Sequence, residues 1–393
     1  MKFSVRLERL KPSAIRAVQK KISEKGEVIS FAAGLPDPDY FPIEDLKISV
    51  DSMMDKKGAE AFQYGMTKGY DPLIDKIAQR LNEKEGIQVS KENIIITTGS
   101  QQGLALAAML FLDEGDILVS ENPSYLGAIN AARPYGTEFI GVTTDDYGMD
   151  TEELRKTLED NPKVKLIYVI PDFQNPTGKA WSLDRRKAFM DVIKDFDVMV
   201  IEDNPYGEIR FKGEKIPTLK SLDKTGQVIY LGSFSKILSP GLRLAYICAD
   251  KDVINKAETI KEGWDLQCTQ FTQLMVLEYI EKFDIDAHID EIKATYKKRC
   301  ELMLEEIEKE FPDTVKYTKP DGGMFVWAEL PEKVSADDVL NKALDNGVAF
   351  VPGASFFTDS GHDNTLRLNF TTVSEEEIKK GIRLLGEVLR EEC

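Results

Sequence analysis

Three segments, KLIYVIPDFQNPTG (Lys165–Gly178), VMVIEDNPYGE (Val198–Glu208) and VIYLGSFSKILSPGLRLAY (Val228–Tyr246), share one plan: a near-continuous apolar run that breaks abruptly into polar residues. Runs this apolar do not alternate faces, so each reads as a strand buried on both sides, the habit of parallel sheets covered by helices. Working outward, IIITT (Ile94–Thr98), ILVS (Ile117–Ser120), EFIGVTT (Glu138–Thr144) and LAYICAD (Leu244–Asp250) repeat the pattern with helix-length stretches between them. Residues 94–250 are therefore expected to form a mainly parallel α/β sheet flanked by helices. Ligands of such sheets sit at the carboxyl ends of the strands, where the polar residues fall.

Residues 251–311 read as two or three helices, and after Pro312 the pattern changes to α+β. VKYTK (Val315–Lys319), GGMFVWAEL (Gly322–Leu330), VAFVPG (Val348–Gly353) and TLRLNF (Thr365–Phe370) are expected strands; SADDVLNKALDNG (Ser335–Gly347) and the stretch from Ser374 to Glu392 are expected helices. This gives a large domain at 46–289 and a smaller α+β domain at 290–393. Residues 1–45, helix-like from Pro12 and then looping through GLPDPDYFP (Gly34–Pro42), are expected to join the smaller one. No internal repeat or low-complexity linker is present.

The chain has 393 residues, 42% hydrophobic and 30% charged, enough to bury a large core. Its 51 basic against 68 acidic side chains leave a formal charge of −17, the wrong sign for nucleic acid or an anionic membrane. Cys248, Cys268, Cys300 and Cys393 show no CxxC spacing, which suggests reduced thiols. Cys300 lies on the stripe Ile289, Ile292, Tyr296, Cys300, Met303, Ile307, one face of a helix, and reads as core rather than nucleophile. The N-terminus has no apolar targeting core and no stretch is long enough to span a bilayer, so a cytoplasmic protein is expected. Two histidines, His288 and His362, cannot build the usual metal site or Ser-His-Asp triad.

Four strand ends carry the chemistry. In IIITTGSQQGLALAAMLFL (Ile94–Leu112) a strand, a turn with Gly99 and Gly103 and an apolar helix would present free N–H groups to an anion, although a plain βα turn reads the same way and no dinucleotide or P-loop motif is present. Asn175 is presented by a Pro-bracketed loop. Asp203, with Glu202 before it and Tyr206 after it, ends a buried strand, where it needs a cation or donors unless it merely caps a helix. Lys236 follows a buried strand and two serines, and Pro240-Gly241 turns Arg243 back toward it. A lysine desolvated beside cations has a lowered pKa and can form an imine or shuttle a proton.

In this order, Gly34-Leu35-Pro36-Asp37-Pro38, Gly99-Ser100-Gln101-Gln102-Gly103, Asn175-Pro176-Thr177-Gly178, Asp203-Asn204-Pro205-Tyr206, Ser233-Phe234-Ser235-Lys236 with Arg243, and Arg367 resemble the class I aminotransferases of pyridoxal-phosphate fold type I. The likeness is nearest the branch of 2-aminoadipate, kynurenine and aromatic-amino-acid aminotransferases, and it covers nearly the whole chain. The resemblance implies a seven-stranded, mainly parallel sheet in the large domain and pyridoxal 5'-phosphate as cofactor. It also implies roles. Lys236 would hold the cofactor aldehyde and carry the proton, Asp203 would pair with the ring nitrogen, and Asn175 and Tyr206 would hydrogen-bond the phenolic oxygen. Tyr125 would stack on the ring, and Ser100, Gln101, Ser233, Ser235 and Arg243 would hold the phosphate. Tyr64 would reach the phosphate of a neighbouring subunit, implying a homodimer. Arg367, with Gly34 and Asn175 beside it, would grip the substrate α-carboxylate. Arg16 matches an arginine that contacts a distal carboxylate in 2-aminoadipate-type relatives; it lies off the Ile15, Val18, Ile22 stripe, and a solvated helix arginine is the other reading. With Tyr40, Tyr64 and Tyr125 near, acidic and aromatic side chains are both expected substrates. Arg243 is followed by Leu244-Ala245 where the family usually has glycine at the second position, a packing variation that keeps the cation.

The implied reaction moves the amino group of an L-amino acid to a 2-oxo acid, with 2-oxoglutarate the expected acceptor, in two ping-pong halves. A pyridoxal-phosphate β-lyase shares the lysine, aspartate and asparagine. The effector-binding half of certain transcription regulators shares the fold, but follows a winged-helix DNA-binding domain; here aminotransferase-like sequence begins within the first ten to fifteen residues and the formal charge is −17, so an enzyme is expected instead. One decoy fails on order: Ser233–Lys236, Lys224-Thr225-Gly226 and Ser120-Glu121-Asn122 imitate the penicillin-binding-protein set, whose serine should come first and open a helix.

Overall fold

A computed structural model describes residues 2–10 and 14–393. Its strands, in chain order, are β1 (Ile29–Ser30), β2 (Ile94–Thr97), β3 (Ile117–Asn122), β4 (Glu138–Thr143), β5 (Val164–Val169), β6 (Met199–Asn204), β7 (Val228–Ser233), β8 (Ala245–Cys248), β9 (Lys316–Tyr317), β10 (Phe325–Glu329), β11 (Val348–Ala349), β12 (Val351–Pro352) and β13 (Thr365–Asn369). The seven apolar runs become the seven strands of one sheet, ordered β2-β8-β7-β6-β5-β3-β4. Strands β3 to β7 run parallel to one another, and β8 runs antiparallel to both β7 and β2. Leu166–Val169, Val200 and Leu231 lose all their surface, as strands covered on both faces must. Helix Ser100–Phe111 comes close to the sheet at Gly103, where a side chain would begin 3.1 Å from Leu231.

A second sheet, β12-β13-β10-β9, is antiparallel throughout. Here the structure corrects the expected single strand at VAFVPG. The segment breaks at Phe350 because its halves serve different partners: β11 pairs in parallel with β1, and β12 with β13. The β1–β11 ladder and a hydrogen bond from Asn369 N–H to Phe31 O (2.8 Å) tie the N-terminal segment to the C-terminal part. The helix expected from Pro12 is described from Ala14 to Lys25; Pro12 itself lies outside the described residues, as does the side chain of Ile15.

Three helices fill 251–310: Lys251–Trp264, Gln270–Lys282 and Ile285–Glu310. The last runs through position 289/290, so the expected domain break falls inside a continuous helix. Its stripe Ile289, Ile292, Tyr296, Cys300, Met303, Ile307 is buried, and burial pushes the Cys300 thiol up to about 12, the behaviour of a core residue. Among the described residues, no helix is long and apolar enough to cross a membrane, and no group of three or more His, Cys, Asp or Glu is placed to hold a metal ion.

One buried ion pair fixes the loop after β5. Arg186, without accessible surface, grips Asp172 with two nitrogens (2.8 and 3.0 Å) and donates to the carbonyls of Pro171 and Pro217, while Arg210 adds a 3.2 Å contact to the same carboxylate. Burial would raise the Asp172 carboxyl, but the two guanidiniums hold it below its usual range. Arg186→Ala should therefore cost about 3–5 kcal/mol, read from urea unfolding midpoints. Arg186→Lys should recover little, because lysine lacks the planar fork. A loss within experimental error would show that the pair does not hold this loop.

Candidate active site

Polar side chains converge where β5, β6 and β7 end and β2 turns into its helix. At that turn Gly99 has φ +76°, and a Cβ there would lie 2.2 Å from the Arg243 guanidinium. The missing side chain is what lets Arg243 lie against the N-terminus of helix Ser100–Phe111. Arg243 itself has φ 50°, left-handed backbone forced by the Pro240–Leu242 turn, and it is exposed. Ser100 Oγ is buried beside it without a partner, and Gln101 donates to Gly127 O (3.0 Å). Ser233 Oγ accepts from Ser235 N–H (3.1 Å), shaping the link to Lys236.

Lys236 donates from Nζ to Gly34 O (2.8 Å), so the large sheet touches the N-terminal segment at this point. Burial first, then Arg367 and Arg243, lower its ammonium to about 8. Asp203, 3% exposed at the end of β6, accepts on Oδ2 from Tyr168 OH (2.8 Å) and has no partner on Oδ1; burial raises it to about 6 against that hydrogen bond. Tyr206 lies edge-to-face on Phe325 (5.9 Å), and burial pushes its hydroxyl well up while Asn175 opposes the rise. Tyr125 ends the loop after β3, its hydroxyl raised by burial and by Asp203.

Arg367, on β13, is fully buried. Its nitrogens reach Asn175 Oδ1 (2.8 Å) and Ala32 O (3.0 Å), and it lies 4.3 Å and 5.3 Å from the ring centres of Phe325 and Phe356. Burial lowers it to about 10, and its Nε has no partner. Gly34 borders it, since a Cβ there would be 3.7 Å from Nη2.

The fold thus gathers Lys236, Asp203, Asn175, Tyr206, Tyr125, Ser100, Gln101, Ser233, Ser235, Arg243, Arg367 and Gly34. It does not gather Tyr64, which is 78% exposed beside exposed Phe62 and Met66, or place Arg16 anywhere but on the exposed side of helix Ala14–Lys25. Sequence reasoning missed Tyr168, whose one signal was a lone phenol in the aliphatic run of β5, and the Phe325–Phe356 pair around Arg367, which signalled nothing. The unpartnered atoms test the expected cofactor: a hydroxyl at a helix N-terminus suits a phosphate, a buried carboxylate oxygen suits a protonated ring nitrogen, and a buried guanidinium suits a carboxylate. The residues fit pyridoxal phosphate.

The model of the family "Aminotransferase class I and II" matches residues 27–385. The aromatic-amino-acid aminotransferase 1 of Thermococcus litoralis is 43% identical over 99% of this chain and 94% of its own. The 2-aminoadipate transaminase of Thermus thermophilus is 39% identical over 97% of this chain and 95% of its own. The crystal structure of Pyrococcus horikoshii kynurenine aminotransferase, in complex with PMP, superposes with a TM-score of 0.95 at 41% identity, covering 99% of this chain and 97% of that one.

The lowered Lys236 ammonium has a measurable consequence in cofactor-free protein. Between about 8 and the unfolded value of 10.5 the unfolded chain holds the proton and the folded one does not, so stability rises with pH across that window. Comparison with Lys236→Met isolates this slope, up to about 1.4 kcal/mol per pH unit. Denaturant titrations at several pH values check it; parallel curves for the two proteins would refute a lowered lysine.

Proposed function

Because the chain belongs to the class I and II aminotransferases, and is a pyridoxal-phosphate-dependent transferase, we propose that the gathered residues divide the reaction as follows and that the donor is 2-aminoadipate or an aromatic amino acid, with 2-oxoglutarate as acceptor. The observation that carries this reading is the grouping of a lowered lysine, a half-satisfied buried aspartate and a buried arginine without a carboxylate partner at one sheet edge. When bound, pyridoxal phosphate supplies an electron sink for the substrate carbanion. Lys236 Nζ, neutral for part of its time near pH 8, would hold the cofactor at its aldehyde and would carry the proton at the substrate Cα. Asp203 Oδ1 would hold a proton at the ring nitrogen, while Tyr168 fixes the other oxygen. Asn175 and Tyr206 would donate to the phenolic oxygen, and Tyr125 would stack on the ring.

Ser100, Gln101, Ser233, Ser235 and Arg243 bind the phosphate. Arg367 orients the substrate α-carboxylate, with Gly34 and Asn175 as its neighbours, and Arg16 reads a distal carboxylate. Exposed Tyr64, with Phe62 and Met66 also exposed two residues to either side, is assigned to the partner's site in a homodimer. The names of the relatives, aromatic-amino-acid aminotransferase, 2-aminoadipate transaminase and kynurenine aminotransferase, support the choice of donors. We place the enzyme in the cytoplasm and treat 46–289 as the large domain, with 290–393 and 1–45 as the small one.

Purified protein with pyridoxal phosphate should be yellow; glutamate should bleach the visible band, and 2-oxoglutarate should restore it. Lys236→Ala should lose turnover by about 10²–10⁴-fold. Pyruvate or ammonia as products would instead favour a β-lyase. In a donor panel, Arg16→Ala should lose about 10- to 100-fold in kcat/KM for 2-aminoadipate and little for aromatic donors, as removal of one charge-assisted hydrogen bond predicts. Equal losses for both classes would refute the distal-carboxylate role.

A further inference from the structure

Glu121, the middle of Ser120-Glu121-Asn122, has no part in the roles above, yet it is a carboxylate with 1% of its surface exposed, raised to about 7 by burial. Its partners are donors and none of them is a cation. Oε2 accepts from Ile170 N–H (2.8 Å), Oε1 accepts from the Trp181 indole N–H (2.9 Å), and Gln174 adds a further hydrogen bond. Ile170 and Trp181 are the two ends of the loop that carries Asn175, and its neck is closed by Trp181 N–H on Pro171 O (2.8 Å). Inside the loop, Gln174 donates to Pro123 O (2.9 Å) and accepts from Thr177 OH (2.6 Å).

We propose that Glu121 is a positioning residue for Asn175: by accepting from both ends of the loop at once, it fixes where the Asn175 amide sits between Arg367 and Tyr206. This rests on the role given to Asn175 above. Only a carboxylate serves, because it accepts on both oxygens. A glutamine of the same shape would turn an NH2 toward a second N–H and leave a buried donor unpaired. Glu202 offers a matched control. It is equally buried and its carboxylate accepts from Leu219 and Lys220 N–H (2.8 and 2.7 Å) rather than from Ile170 or Trp181, so it feels the Arg186–Asp172 pair electrostatically but does not join the two ends of the Asn175 loop.

The experiment uses holoenzyme and reads the pH midpoint of the visible cofactor band, kcat and KM for an amino donor, and the melting temperature. Asn175→Ala should raise the midpoint, because a donor to the phenolic oxygen is lost. Glu121→Gln should move it in the same direction and lower kcat/KM by roughly ten- to a hundredfold, the effect of a small displacement of a contact group. Glu202→Gln should lower the melting temperature and leave the midpoint in place. Should Glu121→Gln fail to fold, Trp181→Phe removes one of the three donors, that at the far end of the loop, and should give a smaller shift of the same sign. A wild-type midpoint and kcat/KM in the Glu121 or Trp181 variant, while Asn175→Ala moves, would overturn the proposal, as would an equal shift in Glu202→Gln. A silent Asn175→Ala would overturn the role of Asn175 itself, and the proposal with it.

Discussion

Arg367 is a cation with no accessible surface, and the groups that meet it are an amide oxygen, a backbone carbonyl and two aromatic rings. A buried charge without a counter-charge is expensive, and here the expense organises the molecule. The three parts of the chain that must meet to hold it are β13, the N-terminal segment at Ala32 and the loop after β5. The β1–β11 ladder and the bond from Asn369 to Phe31 bring the first two together, and the Asp172–Arg186 pair and Glu121 secure the third. The arginine is thereby held without a carboxylate partner, and the free energy that holds it is drawn from contacts spread over all three sheets.

Three acids end up buried at strand ends, and their differences sort structure from chemistry. Glu121 and Glu202 have both oxygens satisfied by N–H donors, so they organise backbone. Asp203 keeps one oxygen unmet. Of the three, it alone keeps an oxygen for a partner that the protein itself does not provide, and its charge is felt by Tyr125 and Tyr206.

Most of this was legible in the residues because the informative signals were local. Seven strands declare themselves by apolar runs, six of them buried through most of their length and β4 half-exposed at the sheet edge, and polar residues at their ends mark the ligand edge. What escaped was contact between segments far apart in the chain. Nothing in VAFVPG says that Phe350 must divide it between two sheets, since the reason is the presence of β1 more than 300 residues away. Tyr168 in β5 reads as a core aromatic until β6 sets Asp203 beside it. Glu121 looked like part of a decoy motif because its partners, Ile170 and Trp181, lie beyond two further strands' worth of sequence. Tyr64 stays apart from this chain's own site, exposed to solvent.

One reversal in the sheet carries a consequence for how the enzyme can vary. Parallel neighbours need a crossover, usually a helix, between them, and such connections tolerate insertion and drift. Strands β7 and β8 are antiparallel, with Ser233 opposite Ala245, so residues 234–244 only have to turn round. Lys236 and Arg243 both sit in that short return, held at each end by a buried strand. The amine and the guanidinium are in effect spaced by one ruler, and lengthening it by a residue would shift both relative to Gly99 and Asp203. This stretch should be the least forgiving of insertions in the large sheet, while the longer connections remain open to change.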